Sequence, residues 1–423
     1  MISKWQWLAL QWTRTLWVRA TLFALLGVGA ALAAAALEGA LPAWVDLSLG
    51  QNAVGDILNI LASSMLAVTT FSLSIMVMAY GAATNTASPR ATLLLMQDTT
   101  TQNVLGTFIG SFLFSLVGIT ALSTGTYDDS GRAILFLATL VVILLIVITI
   151  LRWIEHLSHF GRVGDTIGRV ETVTLAALKE RICNPGLGGV TIRGAQDVPP
   201  DSARPVYAQS TGLIQHLDMV ELSRLAEAHD WRIWVSCLPG AFVSQPRVLA
   251  WIDGVGGDKA DESNEAVYGA FTLGNDRSFK QDPRFGLSVL AEIASRALSP
   301  AVNDPGTAID VLGRAVRILS CYSEQSVAEM QVAPIYPRVH VPTLELDDLF
   351  DDIFAPIARD GGSLIEVQMR LQKGLLLLAG QGVELARSAR RQALFALRHA
   401  ELAMVLEDDR QRLGDLVAGH RVY

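Results

Sequence analysis

Four stretches of this chain carry no charged residue and are long enough to cross a lipid bilayer: 20–37, 57–82, 104–122 and 133–151. A helix needs about 20 apolar residues to span the hydrocarbon core. Four such runs in succession are too many for the buried helices of a water-soluble core. The sequence therefore predicts a four-helix membrane domain over 20–152. The charge content of the whole chain is 17%, below the quarter usual in soluble domains, and the deficit lies almost wholly before Arg152.

The basic residues set an orientation. Lys4, Arg14 and Arg19 precede the first run, Arg90 lies between the second and third, and Arg152, Arg162 and Arg169 follow the fourth. The other two connections hold Glu38, Asp46 and Asp56, then Asp128, Asp129 and Arg132. Lys and Arg mark the cytoplasmic side, so both termini are expected there, in a bacterial inner membrane. Residues 1–19, with Trp5, Trp7, Trp12 and Trp17, read as an interfacial helix rather than a signal peptide.

The second run is unlike the others. At 100° per residue, Asp56, Asn59, Ser63, Ala67, Thr70, Ser74, Gly81 and Asn85 fall within roughly 80° of one another. Small and hydroxyl side chains let helices approach closely and bond across the contact. The same strip from several subunits would instead line a watery path, hydroxyls replacing part of an ion's hydration. No charge sits at mid-membrane, which argues against a proton relay or coupled pump.

From 153 onward an α+β cytoplasmic region is expected. A juxtamembrane helix and a Pro/Gly-rich linker cover 153–201, and a small β-barrel or sandwich module covers about 202–275. A helical remainder follows over 283–420. Strands are predicted at 206–213, 232–237, 247–253 and 267–273, with a helix at 219–229 and a hairpin connection at 254–265. Asp304-Pro305 reads as an N-cap and first-turn proline opening a helix through Leu319. Arg387, Arg390, Arg391 and Arg398 form a solvated or lipid-facing stripe.

The segment 271–316, FTLGNDRSFKQDPRFGLSVLAEIASRALSPAVNDPGTAIDVLGRAV, resembles the signature of bacterial predicted membrane proteins grouped as domain of unknown function 2254. Ser88-Pro89-Arg90, the run Gly212–Asp218 (GLIQHLD) and Pro239–Val243 (PGAFV) are similar to further pieces of that family's pattern. Ala241 departs from it, since an acidic residue is expected after Pro-Gly. The resemblance implies a membrane protein of this architecture and no particular activity.

No P-loop, HExxH, GxSxG or dinucleotide fingerprint occurs. Cys183, Cys237 and Cys321 are widely spaced, as in a reducing compartment, and the net charge of −8 argues against nucleic acid. His156 and His159, with Glu155 beside them, have metal-ligand spacing, yet histidines near a helix end at the interface are the commoner arrangement. No metal or cofactor is expected, and no enzymatic activity. The densest polar group is Arg277, Gln281, Asp282, Arg284, Glu292, Arg296, Asn303, Asp304, Asp310 and Arg314. It reads either as caps and ion pairs holding a turn-rich junction, or as a site for an anionic ligand or a neighbouring subunit. Two functions remain open: an oligomeric channel or channel-like transporter of a small ion lined by span two, and a non-conducting scaffold or sensor.

Overall fold

A computed structural model describes residues 16–36, 53–124, 129–192, 198–254, 260–323 and 333–419. The chain forms two compact units. Of the described residues, one takes those within 16–85 and 92–165, the other those within 86–91 and 166–419, so that the first turn of a short helix at 89–96 belongs to the second unit.

The first unit is built from apolar helices: α1 (Leu16–Ala36), α2 (Ala53–Thr86), α3 (Pro89–Met96), α4 (Thr99–Ser123) and α5 (Asp129–His159). Three of the four expected spans have the length and composition of a crossing helix, at Ala53–Thr86, Thr99–Ser123 and Gly131–Ser158. The first has a shorter described apolar stretch, Trp17–Ala33. The expected interfacial helix lies mostly outside the described residues, apart from its last residues, which continue into α1.

A glycine seam joins α1 to α4. A Cβ on Gly110 would stand 2.6 Å from the Phe23 carbonyl oxygen, one on Gly106 2.7 Å from the Phe23 ring, and one on Gly27 would collide with the Gly110 carbonyl. Gly106 and Gly110 are four apart, so both lie on the face that meets α1. This close approach is the small-residue packing that the sequence suggested for span two. The inner face of α2 packs conventionally instead. Val54 and Leu58 meet Phe114 and Leu135, while Met65 meets Val104, Phe108, Ile146 and Trp153. At the other end of the bundle His156 Nε2 lies 3.0 Å from Asp98 Oδ2, and Asp98 caps α4 through the Thr101 amide at 2.8 Å.

The second unit begins with α6 (Val163–Cys183), which enters it at residue 166. Among the described residues eight strands follow: β1 (Gly189–Ile192), β2 (Arg204–Tyr207), β3 (Gly212–Leu217), β4 (Arg232–Val235), β5 (Phe242–Val243), β6 (Val248–Asp253), β7 (Phe271–Gly274) and β8 (Tyr336–Pro342). Two helices, α7 (Met219–Ala228) and α8 (Ala260–Gly269), lie among them.

The strands form an open mixed sheet, β1-β8-β4-β6-β2, and a three-stranded antiparallel one, β5-β3-β7. Neither closes into the expected barrel, since β1 and β2 end the first sheet and β5 and β7 the second, and β8 pairs in parallel with both β1 and β4. Parallel neighbours need long crossovers rather than hairpins. Both sheets share one core with α7 and α8, around Ile214, Leu222, Ile233, Leu249, Val267 and Val339.

Three local expectations are corrected. The strand at 206–213 is two strands in different sheets, broken at 208–211. The hairpin at 254–265 is partly α8, and β7 pairs with β3 rather than β6. The linker at 184–201 contains β1.

Beyond the sheets, α9 (Pro283–Ala297), α10 (Pro305–Leu319), α11 (Leu346–Asp360), α12 (Ile365–Ala379), α13 (Val383–Ala403) and α14 (Glu407–Gly419) pack as a helical layer. Asp282 and Asp304 cap α9 and α10 through the amides of Phe285 and Thr307 at 3.1 Å each, with proline in the first turn of both.

Candidate functional site

Every residue of the span-two strip is exposed: Asp56, Asn59, Ser63, Ala67, Thr70, Ser74, Gly81 and Asn85. The strip faces away from α4 and α5, so nothing within the described chain covers it. Its hydroxyls bond their own helix, Ser63 to the Asn59 carbonyl at 3.0 Å and Ser74 to that of Thr70 at 2.9 Å. Such back-bonding satisfies them without water. Exposed apolar ridges flank the strip, Ile60, Phe71 and Met78 on one side and Leu66 and Leu73 on the other.

In the second unit, pieces far apart in sequence meet along α9. Ser88 Oγ donates to Glu292 at 2.8 Å, and Arg90 Nη1 to the same carboxylate at 2.5 Å. The Gln281 amide brackets Leu217, accepting from its N–H at 2.9 Å and donating to its carbonyl at 3.2 Å. Gly240, at φ +94°, lies so close to Asp282 that a Cβ there would stand 2.7 Å from the carboxyl carbon. Thus the Gly212–Asp218 and Pro239–Val243 pieces touch the QDPRFG segment, and the Ser-Pro-Arg piece joins α9 farther along, at Glu292.

Asp282 is the centre of this junction. It is 3% exposed and receives two bonds from Arg277, Nε at 2.7 Å and Nη2 at 2.9 Å. Burial pushes its carboxyl above the ordinary range, against the pull of the Arg277 guanidinium. Arg277 also lies over the Phe285 ring at 5.2 Å.

The other predicted residues do not share one site. Arg284 is held by Asp352 at 2.6 Å and Asp348 at 2.5 Å. Asp304 is occupied as a cap, and its pKa is lowered by the Thr307 hydroxyl and amide. Asn303 takes φ 51° in the turn before it. The Arg296 carbonyl accepts from Ser299 Oγ at 2.6 Å. Arg314 joins Arg317 on Glu171, at 2.7 and 2.8 Å, and not the α9 junction. The caps-and-pairs reading accounts for Arg277 with Asp282, Arg284 with Asp348 and Asp352, Glu292 with Arg90, and Asp304 as a cap.

Arg181, near the end of α6, was not singled out. It is 3% exposed, its Nη2 donates to the Pro342 carbonyl at 3.2 Å, and its Nε and Nη1 have no hydrogen-bond partner. Burial lowers its pKa to about 10, with Tyr322 and Asp282 opposing, and burial raises the Tyr322 hydroxyl to about 12. No spacing rule marks a lone arginine in a helix as buried. Only the convergence of α6, α9 and β8 does so.

Among the described residues no group of three or more His, Cys, Asp or Glu is placed to hold a metal ion. His156 is engaged by Asp98, and the side chain of His159 lies outside the described residues.

Comparison with known proteins agrees with this architecture. Uncharacterized proteins of Mycobacterium bovis and of Mycobacterium tuberculosis strains H37Rv and CDC 1551 are each 25% identical over 305 residues, which is 70% of this chain. The alignment covers 58% of each relative's own length. No solved structure matches. The family model described as "Predicted membrane protein (DUF2254)" matches residues 13–376, from the first apolar helix through most of α12. The chain therefore belongs to the DUF2254 family of predicted membrane proteins.

Proposed function

We propose that this membrane protein is an oligomeric channel or channel-like transporter of small ions in a bacterial inner membrane. In this reading it has four spans and cytoplasmic termini, α2 lines the pathway, and the cytoplasmic unit assembles or regulates it without enzymatic activity. The observation that carries the reading is the exposure of the whole α2 strip between two apolar ridges. Ridges of Phe71 and Leu66 suit contact with neighbouring copies, and the strip between them then faces an axis shared by the assembly.

Conductance of the purified protein in planar bilayers tests this. Thr70→Leu or Ser74→Leu is expected to cut the current at least about tenfold by placing an apolar ring at the constriction. Wild-type currents from both variants would overturn it.

The self-satisfied hydroxyls favour the second reading, a non-conducting scaffold or sensor with α2 in a dry contact. Cysteines placed at 63, 67 and 74 separate the two. Modification by a membrane-impermeant thiol reagent supports the pathway, and complete protection supports the scaffold.

A further inference from the structure

The arginine stripe of α13 divides in the structure. Arg391 is held by Asp351, Nη2 at 2.9 Å from Oδ1, and Arg398 turns its Nε to the Leu394 carbonyl at 3.3 Å. Arg390 is exposed and makes no ion pair or hydrogen bond among the described residues. It stands at the mouth of a cleft of about 130 Å³ between α12, α13 and α14, lined by Leu375, Leu376, Ala379, Ala393 and Val417. Arg387 lies one turn away on the same exposed face, as does Leu394. The surrounding surface is unusually greasy for a helical layer. Leu376 and Leu377 on α12, and Leu402, Val405 and Leu406 at the end of α13 and just beyond it, are all exposed. Isolated apolar side chains on a surface need no explanation, but Leu376 lines the same cleft as Arg390, a cation with no ion pair of its own among the described residues, and Leu394 is exposed one turn along α13.

Cationic heads over an apolar slot complement one kind of molecule, an anion carrying an aliphatic chain. The chain belongs to a membrane family, so phospholipid is the amphiphile always present to it. We infer that the α12–α14 cleft seats an anionic phospholipid, a few methylenes of an acyl chain among Leu375, Leu376 and Val417 and its phosphate on Arg390 and Arg387. Glu384 and Glu401, exposed at either end of α13, bias the site toward a single headgroup rather than a broad anionic surface. This inference is independent of whether α2 conducts.

The test uses the full chain reconstituted in nanodiscs of phosphatidylcholine doped with phosphatidylglycerol bearing a photoactivatable acyl chain, with adducts mapped by peptide mass spectrometry. Adducts on peptides of 365–417 are expected, beside those on 53–86, 99–123 and 131–158 that any bilayer lipid gives. Arg390→Glu should reduce the 365–417 adducts about fivefold or more, while the span adducts stay as an internal reference. Ala393→Phe, which fills the cleft and keeps the charge, should do the same. The off-site control Arg412→Glu should not. Equal labelling of 365–417 by a phosphatidylcholine probe, or unchanged adducts in both cleft variants, would overturn the proposal. Displacement of the adducts by inorganic phosphate would reassign the site to a free anion and overturn it equally.

Discussion

The contact between Gly240 and Asp282 makes a quantitative prediction. At φ +94°, any residue other than glycine costs roughly 1–2 kcal/mol at position 240. Its Cβ would also stand 2.7 Å from the Asp282 carboxyl carbon. That carboxylate cannot swing aside, since it is fixed by two bonds from Arg277 and one from the Phe285 amide. Giving those up costs roughly 2–3 kcal/mol, discounted from the buried-pair range because Arg277 is one-quarter exposed. Gly240→Ala should therefore destabilise the second unit by about 4 kcal/mol. Asp282→Ala loses the cap and the pair, again about 4 kcal/mol. In the double variant the clash has no partner, so only the backbone strain adds to the Asp282→Ala loss. The two effects should fall short of their sum by roughly 2–3 kcal/mol, which for a unit of this size is about 5–10 °C of melting temperature. Thermal unfolding in detergent, followed by fluorescence of the buried Trp231 and Trp234 in the same unit, measures it. Additivity to within about 0.5 kcal/mol would refute the contact.

Three further outcomes are expected. Asp304→Asn keeps the cap but removes the titration. The folded pKa of Asp304 lies below 3.8, so its stabilisation is complete above that value and is lost as pH falls through the lower folded value; the variant's stability should decline less steeply in acid, as read by melting temperature against pH. Arg181→Met should leave the melting temperature unchanged or raise it by a few degrees, because a buried guanidinium with two unpaired nitrogens gives way to an apolar chain of similar length; a clear fall would show the guanidinium to be bound. Gly110→Val should force α1 from α4 and cost about 1–3 kcal/mol in detergent, and a melting temperature within a degree of wild type would remove the seam.

Features governed by neighbours in sequence could be read directly. Asp304-Pro305 marked the start of α10, and its helix ends at Leu319 as expected. The 100° periodicity gathered Asp56 through Asn85 on one side of α2, because that clustering depends only on helical pitch. What the side faces depends on α4 and α5, and periodicity is silent about it. The β1–β8 pairing joins Gly189–Ile192 to Tyr336–Pro342 across more than a hundred residues, so four residues in a glycine-rich stretch looked like linker. At 254–265 glycine and acidic residues suggest a turn, and the only mark of α8 is the four-residue spacing of Ser263 and Val267, both buried in the fold. Glycines 27, 106 and 110 sit inside strongly apolar runs, where hydropathy dominates the reading and spacing is easily passed over. Among the signature arginines, Arg277 finds its carboxylate five residues on, at Asp282, whereas the partners of Arg284, Asp348 and Asp352, come from α11, more than sixty residues away.

The glycine seam bears on how the protein is made. Helix α1, Leu16–Ala36, spans about 31 Å at 1.5 Å per residue, with little to spare over the roughly 30 Å hydrocarbon core. On the ribosome it emerges some seventy residues ahead of Gly106 and Gly110, the positions that grip it. A nascent chain halted before α4 leaves this helix without its mate, and its hold on lipid during that interval rests on the helix alone. Biogenesis then has a natural commitment point, reached when α4 closes on Phe23.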